Sequence, residues 1–116
     1  MYWKELRVWQ KAHELVMEIY RTTNEFPKEE RFGVVSQMRR AAVSVPANIV
    51  EGQARNTTKE YLSFLYNARG SLEETRYYLL LSKDLGYLRD KEYEQLEALC
   101  IIISRMLNKL IHSLKL

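Results

Sequence analysis

Residues 36–52, SQMRRAAVSVPANIVEG, place a proline where a helix tolerates one least. Val34, Val35, Met38, Ala41, Ala42, Val45, Ile49 and Val50 recur at steps of three and four, which marks one face of an α-helix. Pro46 falls inside that series. It removes a backbone N–H, pushes its ring against the carbonyl of Ala42 one turn back, and costs roughly 3 kcal/mol in a helix interior. The apolar register still passes through it without slipping, because Val45 and Ile49 continue the face set by Met38, Ala41 and Ala42. The pattern predicts one helix with a kink rather than two helices and a loop.

The flanking segments read as three further helices. Over residues 5–24, Trp9, Ala12, Val16, Ile19 and Thr23 form a stripe that Leu6, Leu15 and Tyr20 widen. Phe26 and Pro27 end it, since the residue before a proline avoids the helical region. Glu29 and Glu30 are expected at the positive end of the second helix, which runs to about residue 53 or 54 with Gly33 near its start and Gly52 at its fraying end. Thr57-x-x-Glu60 is a capping-box pattern that starts helix three at Thr58. Tyr61, Leu65, Ala68, Leu72, Thr75 and Leu79 then give a heptad-like seam. Gly70 interrupts this helix at a cost of ~1 kcal/mol relative to Ala, so a second helix is expected to cross closely there. Leu85 and Gly86 stop it. Asp90 is expected to cap helix four, whose apolar positions are Leu96, Leu99, Cys100, Ile103, Met106, Leu107 and Leu110. Short connections between four helices imply an all-α, antiparallel up-and-down four-helix bundle, one domain over residues 1–116.

Some apolar residues are left over. Ile101, Ile102, Leu62, Phe64, Tyr77, Tyr78, Val8 and Met17 fall outside the main stripes. With two Trp and eight Tyr they point to self-association, the alternative being a wide core stripe in a single bundle. The lone Cys100 cannot form an intramolecular disulfide and is expected as a buried thiol in a reducing compartment. Charges begin at the fourth residue and no apolar run approaches the ~18–20 residues of a membrane span, so neither a signal peptide nor a membrane location is expected. The expected location is the cytoplasm.

Catalytic and cofactor patterns do not emerge. His13 and His112 lie on different predicted helices without a Cys or carboxylate at metal-ligand spacing, and His13 begins HExxxE, not HExxH. The four glycines are isolated, so no phosphate loop forms, and the adjacent pairs Glu29/Glu30 and Glu73/Glu74 point in different directions on a helix. The expectation is no enzyme, no cofactor and no metal. What remains is charge. Between residues 31 and 55 stand four arginines and one acid, a local excess equal to the whole formal charge of +3. Arg39, Arg40 and Arg55 are the candidate phosphate-binding residues, because the forked, planar guanidinium suits phosphate. Arg69 and Arg76 share one side of helix three and could join them. The alternative is an ordinary solvated face, or Arg39 and Arg40 paired with Glu51, Glu73 or Glu74.

The run SQMRRAAVSVPANIVEGQAR, with VWQKAHEL upstream and YLSFLYNARGSLEET downstream, resembles the bacterial four helix bundle protein family. That family includes proteins encoded by intervening sequences of large-subunit ribosomal RNA genes and the accessory variability determinant protein of diversity-generating retroelements. The resemblance extends from about Trp3 to about Leu110. It implies a homopentamer, a closed ring of bundles. It further implies a basic nucleic-acid-binding accessory protein for RNA or DNA, partnered in the retroelement case by a reverse transcriptase. This chain is less basic than that comparison. A protein-interaction scaffold without nucleic acid is the alternative.

Overall fold

Every apolar position assigned to the proline-bearing stretch is buried except Val50, which is half-buried. In the computed structural model, which describes residues 2–116, four helices follow one another: α1 (Arg7–Thr23), α2 (Val34–Gln53), α3 (Thr58–Asp84) and α4 (Asp90–Lys115). Single 3₁₀ turns at Trp3–Glu5 and Lys28–Glu30 precede α1 and α2. Helix α2 continues through Pro46, with no loop between Val43 and Ile49. Among the described residues each helix packs on its two neighbours in the order α1, α2, α3, α4 and back to α1, with no diagonal pairing, as an up-and-down bundle requires. The α2–α3 contact is the most extensive. The molecule measures 44 × 24 × 20 Å, and no helix is long and apolar enough to cross a membrane.

The core follows the predicted stripes of α2 and α3. In α1 it turns onto Val8, Ala12, Leu15 and Ile19, leaving Trp9 and Val16 half-buried and Tyr20 exposed, and in α4 Leu99, Met106 and Leu110 are half-buried. Ala12, Leu15, Ile19, Met38, Val45, Ile49, Leu65, Leu72, Leu79, Cys100, Ile103 and Leu107 are fully enclosed. Polar groups at the α2–α3 seam serve one another. Ser71 Oγ donates to Ser44 Oγ (2.9 Å), the Asn48 amide donates to the Ser44 carbonyl (2.7 Å), and Thr75 Oγ1 donates to the Ser71 carbonyl (2.8 Å). No buried side-chain N or O among the described residues lacks a partner.

The structure departs from expectation at two helix ends and at one glycine inside α3. Thr57 caps α3 as predicted, accepting from the Glu60 backbone N–H at 3.2 Å. Gly86 ends it with φ +82°, while its own N–H donates to the Lys83 carbonyl and that of Tyr87 to Ser82, a Schellman closure. Asp90, however, is the first helical residue of α4 and not its cap; Arg89 holds the extended cap position and Glu92 Oε1 accepts from the Arg89 N–H at 3.2 Å. Glu29 and Glu30 lie ahead of α2 in the 3₁₀ turn, with Gly33 at the cap. Glu30 nonetheless serves the helix end, its Oε1 accepting from the Val34 N–H at 3.4 Å. Finally, the close helix approach expected at Gly70 is absent. A Cβ at Gly70 would meet nothing within 4 Å, whereas one at Gly52 would lie 2.9 Å from Phe64 Cβ and from Tyr61 Cδ1. The tight α2–α3 crossing is at Gly52.

Candidate nucleic-acid interface

The antiparallel packing of α1 on α2 leaves a shallow groove of about 580 Å³ along their exposed side, at the end of the bundle where the 24–33 connection joins them. Tyr20 from α1, Arg31 and Phe32 from the connection, and Ser36, Arg39, Arg40 and Val43 from α2 line it. Helical spacing explains the membership. Ser36, Arg39, Arg40 and Val43 recur at steps of three and four on the side of α2 opposite its buried stripe. No carboxylate lines this groove.

The three arginines here are not equivalent. Arg39 is tied to the C-terminal end of α1. Its Nε donates to Thr23 Oγ1 at 2.9 Å, and Nη2 donates to the Asn24 side-chain oxygen at 3.2 Å and the Tyr20 carbonyl at 3.4 Å. Its guanidinium carbon sits 4.4 Å from the Tyr20 ring centroid. A cation in this place satisfies the carbonyl end of α1 and its dipole. Arg40, one residue on, is exposed and has no hydrogen bond or ion pair among the described residues. Glu74 lines a smaller groove beside it, but its carboxylate accepts from Tyr78 Oη at 3.1 Å. Arg31 is exposed and lies 5.7 Å from the Phe32 ring.

Arg55 stands elsewhere. It follows the last turn of α2, stacked over Phe64 at 4.6 Å, and is separated from Arg39 and Arg40 by most of the helix, about 23 Å of axis. Arg69 and Arg76 also face other work. Arg76 bridges α3 to α4, with Nε donating to Glu97 at 2.9 Å and Nη1 to Glu73, and the Glu97 bond pushes its pKa further above the ordinary arginine value. Arg69 donates to Asn108 at 3.2 Å and lies over Tyr66. The structure thus brings Arg39 and Arg40 together, adds Arg31, and leaves Arg55 on a separate surface. The ion pairs considered for Arg39 and Arg40 do not form; Arg39 is engaged by α1 instead. Tyr20 and Phe32 were missed because aromatics at a stripe edge and in a turn look like core and loop. The adjacency of Arg31 to Phe32 was the signal available.

The groove between α1 and α4 carries paired charges, Glu14 with Lys11, Glu18 with Arg21 and Glu92 with Arg89. Glu14, Glu18 and Glu92 line it with Lys11, Leu99 and Ile102. His13 lies parallel to Trp9 at 5.2 Å, and among the described residues no group of three His, Cys, Asp or Glu could hold a metal ion.

A family model described as 23S rRNA-intervening sequence protein matches residues 4–109. Among solved structures, the chain is similar to the crystal structure of a protein of unknown function from the S23 ribosomal protein family of Bacteroides thetaiotaomicron VPI-5482. The TM-score is 0.84 at 24% identity over 90% of this chain and 95% of that one, a likeness of fold. No curated protein matches.

Proposed function

The chain belongs to the 23S rRNA-intervening sequence protein family, and from that premise we propose a non-enzymatic, self-associating accessory protein that binds the phosphate backbone of RNA or DNA through the α1–α2 groove. One observation carries the reading: three arginines and no carboxylate line that groove, and Arg40 has no partner among the described residues. Arg40 and Arg31 are the phosphate contacts, Arg39 contributes its field while holding α1, and Arg55 makes a second, separate contact on a long ligand. A patch of this size binds non-specifically in the ~10⁻⁴–10⁻⁶ M range at physiological salt. Repetition in an oligomer, a pentameric ring by the family resemblance, raises avidity by ~10²–10⁴ when one strand spans several copies. The single buried thiol supports a reducing compartment, the cytoplasm.

Titration of labelled RNA and DNA with the protein at low and moderate salt is the test. Binding that falls steeply with salt and ignores sequence supports the proposal, because phosphates carry no base identity. Absence of binding at low salt overturns it and leaves the scaffold reading, which the exposed Met17, Tyr77, Leu80 and Ile102 favour.

A further inference from the structure

Phe32 is 88% exposed, in the turn just ahead of α2, and takes no part in the core. Its one ring contact among the described residues is the guanidinium of Arg31, 5.7 Å from the centroid. A single exposed aromatic is ordinary on a protein surface. This one is placed on the rim of the arginine-lined groove, with Arg31 beside it and Arg40 about 9 Å of helix axis beyond Val34, the first residue of α2. The second aromatic of the groove, Tyr20, already has Arg39 over its ring.

A free aromatic face at the edge of a cationic track is the arrangement that binds single strands: the backbone follows the charges and a base stacks on the ring. We infer that the groove selects single-stranded nucleic acid, with one unpaired base per protomer stacked on Phe32 and the adjoining phosphates on Arg31 and Arg40. This rests on the phosphate-binding reading of the same groove. A duplex satisfies the arginines but not the phenyl ring, because its base faces are covered by their neighbours. The acids nearest the turn do not block the track. Glu30 is held by Tyr87 Oη at 2.8 Å and by the start of α2, and Glu29 lies outside the groove lining. Stacking tolerates any base, so the selectivity is for strand state and not for sequence.

The test compares a labelled thymidine single strand, its uridine equivalent and a matched duplex by fluorescence anisotropy, for wild type, Phe32→Ala, Phe32→Leu and Phe32→Trp, with particle mass measured for each. Such exposure leaves the fold intact in all three. The inference expects single strands to bind more tightly than duplex. Phe32→Ala and Phe32→Leu should each lose about 5- to 150-fold in single-strand affinity, Phe32→Trp should keep it, and the salt dependence should not change. Equal binding of single strand and duplex, or an unaffected Phe32→Leu, overturns the stacking while the phosphate-binding reading stands. A fall in particle mass in Phe32→Ala also overturns it, placing the ring between copies. Wild type that binds no strand at low salt overturns both.

Discussion

Arg39 and Arg40 are neighbours in sequence with opposite fates, and the difference lies on another helix. Arg39 meets Thr23, Asn24 and the Tyr20 carbonyl, while Arg40 points away from them. Removing Arg39 leaves the end of α1 without these charged hydrogen bonds. Arg39→Ala should therefore lower unfolding free energy by about 1–3 kcal/mol, while Arg40→Ala and Arg55→Ala stay within about 0.5 kcal/mol of wild type. Urea denaturation midpoints decide this, and a silent Arg39→Ala would show that the tie contributes nothing. Sequence showed the density of arginine but not which guanidinium is consumed, because that depends on partners 15 and 16 residues away. Cys100 was legible, and burial pushes its thiol from 9.0 up to about 12. The folded protein thus holds this proton where the unfolded chain releases it. Stability is unaffected by this group below about pH 9 and falls as pH rises toward about 12. Burial raises the Tyr61 hydroxyl in the same direction. Denaturation series across that range should show the decline, and native Cys100 should resist a thiol reagent at pH 8 until the chain unfolds. Ready labelling of the folded state would contradict its burial.

Helices were read more accurately than their ends. Apolar period needs only local spacing, so the register of α2 through Pro46 and the seam of α3 were visible in the residues themselves. End positions depend on which group reaches a backbone N–H. Glu92 reached back to Arg89, and Asp90 moved inside α4. Gly52 and Gly70 illustrate the same limit, since a helical glycine signals lost propensity but not whether anything fills the space. Gly52→Ala forces a Cβ against Phe64 and Tyr61 and should destabilise by about 1–3 kcal/mol. Gly70→Ala meets open space and should stabilise by about 0.5–1 kcal/mol, raising the thermal midpoint by roughly 4 °C. Thermal melts of the two variants should move in opposite directions. A destabilised Gly70→Ala would mean that another copy approaches α3 at that point.

Across the whole molecule charge is unevenly distributed. Arginines line the α1–α2 groove without a carboxylate, whereas the carboxylates of the α1–α4 groove are each paired with a base, so the unbalanced positive charge lies on the first face. Apolar side chains are likewise left over after the core is filled. Val8 of the predicted surplus is buried, and Leu62 and Tyr78 pack on the core, yet Met17, Tyr77 and Ile102 remain exposed. Light scattering at micromolar concentration should therefore give a mass several times the 13.8 kDa of one chain; a monomer would refute self-association. The most direct measurement of the phosphate-binding surface is the salt dependence of single-strand binding for wild type and for Arg31→Ala/Arg40→Ala, neither residue being needed by the core. Loss of two phosphate contacts should weaken binding more than tenfold and reduce the slope of log affinity against log salt by about 1.4 for each protomer engaged. An unchanged slope and affinity in that variant would contradict the assignment of the groove.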